Sequence, residues 1–268
     1  MNPLTTHGVF SWTELMTTDL AAAKKFYAEV FGWRYGTCCP EGTACDHVDI
    51  SVGGETIGCL AACPPGCPAP SSWNTYVTVT DIAKTVELAV KLGGSVAFGP
   101  KDLPGIGRFA VVRDPQGADL LPVQYSCPQE ALASAPDFRV ARATATGAFS
   151  WWELMTPDFA ATKAFYGGLF GWTFERVSNF DYEIISQGGK MIAGLMGMPP
   201  QCPPGTPPCW NIYVNVADAD AICEAVRRGG GKILVGPEDI PTIGRFAVLQ
   251  DPTGAVLSVM KWAKCESQ

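Results

Sequence analysis

Apolar and polar residues alternate with a period of two from Val9 to Thr17, and the pattern then switches to the helical period. The alternation predicts a strand with Phe10, Trp12, Glu14 and Met16 on one face and Ser11, Thr13, Leu15 and Thr17 on the other. Asp19 is placed to cap the following helix, in which Leu20, Ala23, Phe26, Tyr27, Val30 and Phe31 keep the helical spacing until Gly32 stops it. Strand-like runs follow at Arg34–Cys38, Asp46–Val52 and Glu55–Ala62, the last two joined by a Gly53-Gly54 hairpin. The sequence then restarts: a strand at Trp73–Thr80, a helix at Asp81–Leu92 that exits at Gly93-Gly94, and strands at Ser95–Phe98, Gly107–Arg113 and Ala118–Tyr125. Asp114-Pro115-Gln116-Gly117 turns between the last two. One module, strand–helix–three strands, is therefore written twice in the first half.

It is written twice again in the second. GVFSWTELMTTDLAAAKKFYAEVFGW, from Gly8, returns 139 residues later as GAFSWWELMTPDFAATKAFYGGLFGW, with 17 of 26 positions identical. WNTYVTVTD at Trp73 returns as WNIYVNVAD at Trp210, and IGRFAVVRDPQGA at Ile106 as IGRFAVLQDPTGA at Ile243. A repeat of this kind sets the architecture. It predicts a first domain over 1–126, an Ala-, Ser- and Pro-rich linker over 127–146, and a second domain over 147–268.

Composition narrows the class. The 268 residues are 47% hydrophobic and 17% charged, which fits globular domains with real cores. The net charge of −7 argues against nucleic acid as a partner. No apolar stretch approaches the length of a membrane span, and MNPLTTHGVFSW has no basic stretch followed by an apolar run, so a cytoplasmic protein is expected. The eleven cysteines are then read as reduced and packing. Neither Cys63/Cys67 nor Cys202/Cys209 has metal or redox spacing, and Cys38, Cys39 and Cys45, a conceivable metal cluster, have no equivalents in the second copy.

The strand, the helix ending in FY-x-x-x-FGW and the DP-x-GA turn resemble the vicinal oxygen chelate superfamily, which includes glyoxalase I, bleomycin-resistance proteins and extradiol dioxygenases. The resemblance covers nearly the whole chain outside the linker. It implies an α+β fold of four βαβββ modules in two tandem glyoxalase-like domains, each a curved mixed sheet around a cleft. Metal-dependent members hold one divalent ion there. Carried over position by position, the ligands fall on Trp12 and Trp151, Thr75 and Ile212, and Leu121 and Ser258. Indole and aliphatic side chains cannot bind such an ion and a lone hydroxyl binds it weakly, so no metal and no other cofactor is expected.

If Trp12 and Trp151 stand at ligand positions, Glu14 and Glu153 share their face. Each is a candidate general base, or else a structural partner of Arg108 or Arg245. Trp12, Trp151 and Trp152 are candidate stacking surfaces, with cavity filling as the alternative. Arg108 and Arg245 are candidate anchors for a ligand carboxylate. Asn74 and Asn211 either bond a ligand or tie down the Pro-rich connector. His47, Asp49 and Asp119 align with Tyr182, Ile184 and Val256, so the first cleft is the more polar one if they point inward. The expected partner is a small organic ligand, anionic or planar, bound by a monomer or homodimer. Three readings follow: a metal-free binding protein, a metal-independent lyase or isomerase using Glu14 or Glu153, and a metal-dependent glyoxalase-type lyase.

Overall fold

A computed structural model describes residues 1–36, 47–64, 66, 70–126, 145–177, 180–200, 202–203 and 205–263. Cys38, Cys39 and Cys45, and the linker apart from residues 145–146, lie outside them. The first copy runs β1 (Val9–Thr17), α1 (Leu20–Phe31), β2 (Arg34–Gly36), β3 (His47–Val52) and β4 (Glu55–Ala62), then β5 (Ser72–Thr78), α2 (Ile82–Lys91), β6 (Ser95–Leu103), β7 (Gly107–Arg113) and β8 (Asp119–Tyr125). The second runs β9 (Phe149–Thr156), α3 (Phe159–Phe170), β10 (Thr173–Arg176), β11 (Tyr182–Gln187) and β12 (Lys190–Gly197), then β13 (Cys209–Asn215), α4 (Ala219–Arg228), β14 (Lys232–Ile240), β15 (Gly244–Gln250) and β16 (Val256–Trp262). These are the four βαβββ modules the periodicity predicts. The hydrogen-bonded strand orders are β2-β3-β4-β1-β5-β8-β7-β6 and β10-β11-β12-β9-β13-β16-β15-β14, two mixed eight-stranded sheets of an α+β fold. No helix among the described residues is long and apolar enough to cross a membrane.

Local chemistry fixes the helices. The Asp19 side chain accepts from the Ala22 N–H at 2.9 Å, and Asp158 does the same for Ala160 and Ala161. These bonds satisfy donors that the first helical turn leaves unpaired. Gly32 ends α1 in the left-handed conformation at φ 70°, which a side chain would resist. β6 exceeds the predicted Ser95–Phe98 because it continues to Leu103 through register shifts that the alternation does not reveal.

Packing does not follow the halves of the sequence. One compact unit, unit 1, contains Met1–Trp12, the chain from Thr75 through β8, and Trp151–Asn211; unit 2 contains Thr13–Asn74, 145–150 and 212–263. Each unit thus joins one module of the first copy to one of the second. The repeated motifs explain why. In unit 2, Tyr27 of α1 donates to the Asp251 carboxylate at 3.0 Å and accepts from the Trp73 indole at 3.0 Å, while Trp33 donates to the Gly147 carbonyl at 2.7 Å. In unit 1, Tyr166 of α3 donates to Asp114 at 3.1 Å and accepts from Trp210 at 3.1 Å, while Trp172 donates to the Gly8 carbonyl at 2.7 Å. The other oxygen of each Asp closes its own turn: Asp251 accepts from the Thr253 and Ala255 N–H groups, and Asp114 from those of Gln116, Gly117 and Ala118. Each Tyr is buried and its polar atom is paired, as buried polar groups must be. In unit 1, Phe165, Tyr166, Leu169 and Phe170 of α3 and Ile82 and Ala89 of α2 share one core with Val77, Ala110, Val112 and Leu120 of the strands beneath.

Candidate functional site

In unit 1, β9 presents two different faces. Trp152 and Leu154 turn into the helix-covered core, where Trp152 stacks on Phe10 at 5.0 Å and 3°. Trp152, expected to line a ligand site, is therefore a packing residue, because adjacent strand residues must point to opposite sides. Trp151 and Glu153 share the other face. The Trp151 indole N–H donates to the Tyr182 hydroxyl at 2.8 Å, and that hydroxyl hydrogen-bonds Glu153. The Tyr182 hydroxyl thus receives from the indole and gives to the carboxylate. Glu153 is only 5% exposed. Burial first, and then the Glu153 charge, hold the Tyr182 phenol well above the usual tyrosine range. Cys209 lies close enough to Cys202 and Glu153 to feel both, and burial pushes its thiol up to about 11. Asn211, buried two residues further along β13, shares the Cys209 face.

Register explains how Tyr182 reaches Glu153. On β12, Gly194 lies opposite Glu153 of β9 on one side and Ile184 of β11 on the other, with Tyr182 opposite Met196. Tyr182 therefore comes from two strands away and crosses Gly194 diagonally. A Cβ at 194 would overlap the Tyr182 hydroxyl oxygen.

The first copy solves the same local problem otherwise. In unit 2, Glu14 lies opposite Cys59 of β4, and the Cys59 thiol donates to Glu14 at 3.6 Å. Asp49 is opposite Cys59 and His47 opposite Ala61, so His47 and Asp49 share the Cys59 face. Burial raises the Asp49 carboxyl, and the nearby His47 partly offsets this.

Trp12 belongs to an aromatic face of unit 1. It packs with Tyr76, Leu121, Val123, Phe109, Val111 and Tyr125. Tyr76 and Phe109 are 6.0 Å apart, and Phe109 is 5.8 Å from Phe98, which is 48% exposed. On β5 the residue of this face is Tyr76, not the expected Thr75. Tyr76 joins Trp12 and Leu121 here, whereas Thr75 is buried with its hydroxyl unpartnered and shares its side with Val77 of the helix-covered core. By the same alternation, Tyr213, opposite Ser258 on β16, replaces Ile212.

Three expected ligand-binding residues are engaged elsewhere. Arg108 pairs with Asp102 at 2.7 Å and shares its side with Ala110 and Val112, on the helix-covered face. Arg245 binds Asp220 of α4 at 2.7 and 2.9 Å and Asp239 at 3.2 Å. Neither reaches a glutamate of the first strands. Asp119 is exposed and pairs with Arg113 through two 2.8 Å bonds. Asn74 is half-buried at the start of β5. Of the expected residues, Trp151, Glu153 and Asn211 thus share one face with Tyr182, while Glu14 shares another with His47. Tyr182 and Cys209 were missed as site residues. Among the described residues, no group of three or more His, Cys, Asp or Glu side chains is arranged to hold a metal ion.

Four buried or half-buried phenols make the native state sensitive to base. Tyr27, Tyr35, Tyr166 and Tyr182 are all raised, chiefly by burial, while an unfolded tyrosine ionises at about pH 10. Their contribution to stability is complete below that value and falls as pH rises above it, because only the unfolded chain releases the protons. Four such groups give a slope of roughly 5 kcal/mol per pH unit. Titration followed at 295 nm should show these phenols ionising only as far-UV dichroism is lost. Ionisation of all seven tyrosines near pH 10 with dichroism intact would contradict the burial.

Repeated βαβββ modules with first-strand residues lining the open sheet faces define a glyoxalase-type protein. The chain belongs to the glyoxalase/bleomycin resistance protein/dioxygenase superfamily, whose family model matches residues 9–120 and 148–259. It is 36% identical over 261 residues to CFP32 of Mycobacterium bovis, a protein named provisionally as a glyoxylase, with 95% of each chain covered. It is 37% identical over 134 residues to the anthracycline biosynthesis protein DnrV of Streptomyces peucetius, covering 45% of this chain and 48% of that one. Among solved structures, homoprotocatechuate 2,3-dioxygenase from Arthrobacter globiformis superposes with a TM-score of 0.62 at 17% identity, covering 97% of this chain and 81% of that one. The Mn(II)-bound glyoxalase from Novosphingobium aromaticivorans gives 0.60 at 16% identity, covering 96% and 82%. At these identities the two structures show a shared fold.

Proposed function

We propose that this protein binds a planar organic molecule and does so without the metal of its superfamily. The observation that carries this reading is the Trp12 face. Trp12 and Leu121, two of the three first-half positions to which the resemblance carries a metal ligand, stand together with Tyr76, packed against Phe109 and Val123. An indole, a phenol and an aliphatic chain do not fit a divalent ion, which takes carboxylate, imidazole or thiolate donors. They fit a flat apolar ligand: aromatic side chains offer large stacking surfaces, and ligand sites are mostly apolar with few polar anchors. The rings of Tyr76, Phe109 and Phe98 continue that surface from buried to exposed. The name of DnrV, tied to the biosynthesis of fused-ring anthracyclines, agrees with a flat ligand.

The test is metal content of protein purified without chelator, together with titration of an anthraquinone followed by tryptophan fluorescence. We expect far less than one metal per chain, saturable quenching, and about tenfold weaker binding in Trp12→Ala through lost stacking area. Near-stoichiometric nickel, zinc, manganese or iron would overturn the reading in favour of a metal-dependent lyase.

A second reading is a metal-independent lyase or isomerase with Glu153 as base. It is supported by the burial of Glu153 and by the Tyr182 hydroxyl that orients it. Under it, Glu153→Gln lowers turnover by about 10²–10⁴-fold. Turnover that survives both Glu153→Gln and Glu14→Gln would exclude these carboxylates as the base.

A further inference from the structure

The two copies differ at the position opposite the first-strand glutamate. Glu14 faces Cys59 and Glu153 faces Gly194. The difference sets which side chain approaches each carboxylate from the neighbouring strand. Cys59 fills its position and donates from there through a thiol, a weak donor, at 3.6 Å. Gly194 leaves its position empty, and the Tyr182 ring passes over it to bring a phenol to Glu153. The residues at 182 and 194 therefore work as a pair: the phenol needs the missing side chain, since any Cβ at 194 would overlap the hydroxyl oxygen.

The same hydroxyl also fixes Trp151. Its indole N–H is held at 2.8 Å, so the ring plane is set before any ligand arrives. A carboxylate oriented by a phenol, beside an indole locked by that phenol, is a preorganised surface. We propose that the Tyr182–Gly194 pair makes this face the selective site of the chain, taking a planar organic ligand that carries a hydrogen-bond donor, a hydroxyl or an amine. The stacking partner is Trp151, the acceptor is Glu153, and Tyr182 is the positioning residue for both. Asn211, on the Cys209 face of β13, adds a buried amide to this surface. This inference goes beyond the reading above, since it concerns the Trp151 face rather than the Trp12 face, and rests on that reading for the ligand class.

Two measurements on the full chain separate the parts. The first needs no ligand: the ultraviolet resonance Raman bands that report indole N–H hydrogen bonding, in the native protein and in Tyr182→Phe. We expect one indole to lose its hydrogen bond in the variant, with far-UV dichroism unchanged. Unchanged indole bands would overturn the positioning role. The second compares 2-naphthol, which carries a donor, with 2-methoxynaphthalene, which is nearly the same shape without one. The native protein should prefer 2-naphthol by about tenfold, the usual scale for a hydrogen bond to a charged acceptor. Tyr182→Phe, and independently Gly194→Ala, should reduce the preference to about twofold or less while the methoxy probe still binds. A preference that survives in both variants would overturn the selective role. Failure of the native protein to bind either probe would overturn the planar-ligand reading and this ligand class with it, and the Raman result would still decide the positioning role.

Discussion

Asp251→Ala and Asp114→Ala are each expected to lower the stability of the protein by about 4 kcal/mol, a large share of what holds an ordinary domain. Each carboxylate does two things at once. One Asp251 oxygen holds the β15–β16 turn through the Thr253 and Ala255 N–H groups, and the other receives the Tyr27 hydroxyl. Asp114 does the same for the β7–β8 turn and Tyr166. Alanine would leave the Tyr hydroxyl and two or more backbone donors without an acceptor. Each unmet buried group costs about 1–3 kcal/mol. Asparagine keeps an acceptor oxygen for the turn and an amide beside the phenol, so its loss should be smaller, about 1–2 kcal/mol. Urea denaturation, monitored separately by fluorescence and dichroism, measures both series. Alanine variants within 1 kcal/mol of the parent would mean that these bonds do not hold the modules together.

Splitting the chain should have an even larger effect. A polypeptide of residues 1–126 is not expected to fold as a monomer, although the sequence repeat ends there. Unit 1 takes β5 to β8 from that half but its α3 core from the other, and unit 2 joins α1 to the turn at Asp251. Cut at the linker, Tyr27 loses Asp251, Trp33 loses the Gly147 carbonyl and Asp114 loses Tyr166. The apolar faces of α1 and α2 are left exposed, which no short domain tolerates without a partner. Light scattering and denaturation of 1–126, of 147–268 and of an equimolar mixture test this. Recovery of native stability only on mixing is the expected result. A monomeric 1–126 that unfolds cooperatively by itself would refute it.

The module was legible because its signals are local. Alternation located β4 at Glu55–Ala62 and β7 at Gly107–Arg113 to the residue, and Asp19 and Gly32 marked the ends of α1. The metal-position argument at Trp12 and Trp151 was also local. The errors arose where parity had to be set against a face that only packing identifies. Arg108 and Phe109 alternate in any strand, but that Phe109 rather than Arg108 lies with Trp12 is decided by Tyr76 and Val123 on neighbouring strands. The same applies to Thr75 against Tyr76 and to Trp152 against Trp151.

The chain's sequence by itself determined four copies of one module, their strands and helices, and the presence of an indole and a carboxylate on the first strand of each half. Periodicity and capping suffice for this, because they act over a few neighbouring residues. Tertiary structure alone decided which modules pack together, through buried Tyr–Asp bonds spanning more than 200 residues in one unit and about 50 in the other. It also decided that Tyr182 meets Glu153 across Gly194, because that meeting depends on the order and register of three strands, which no local pattern records.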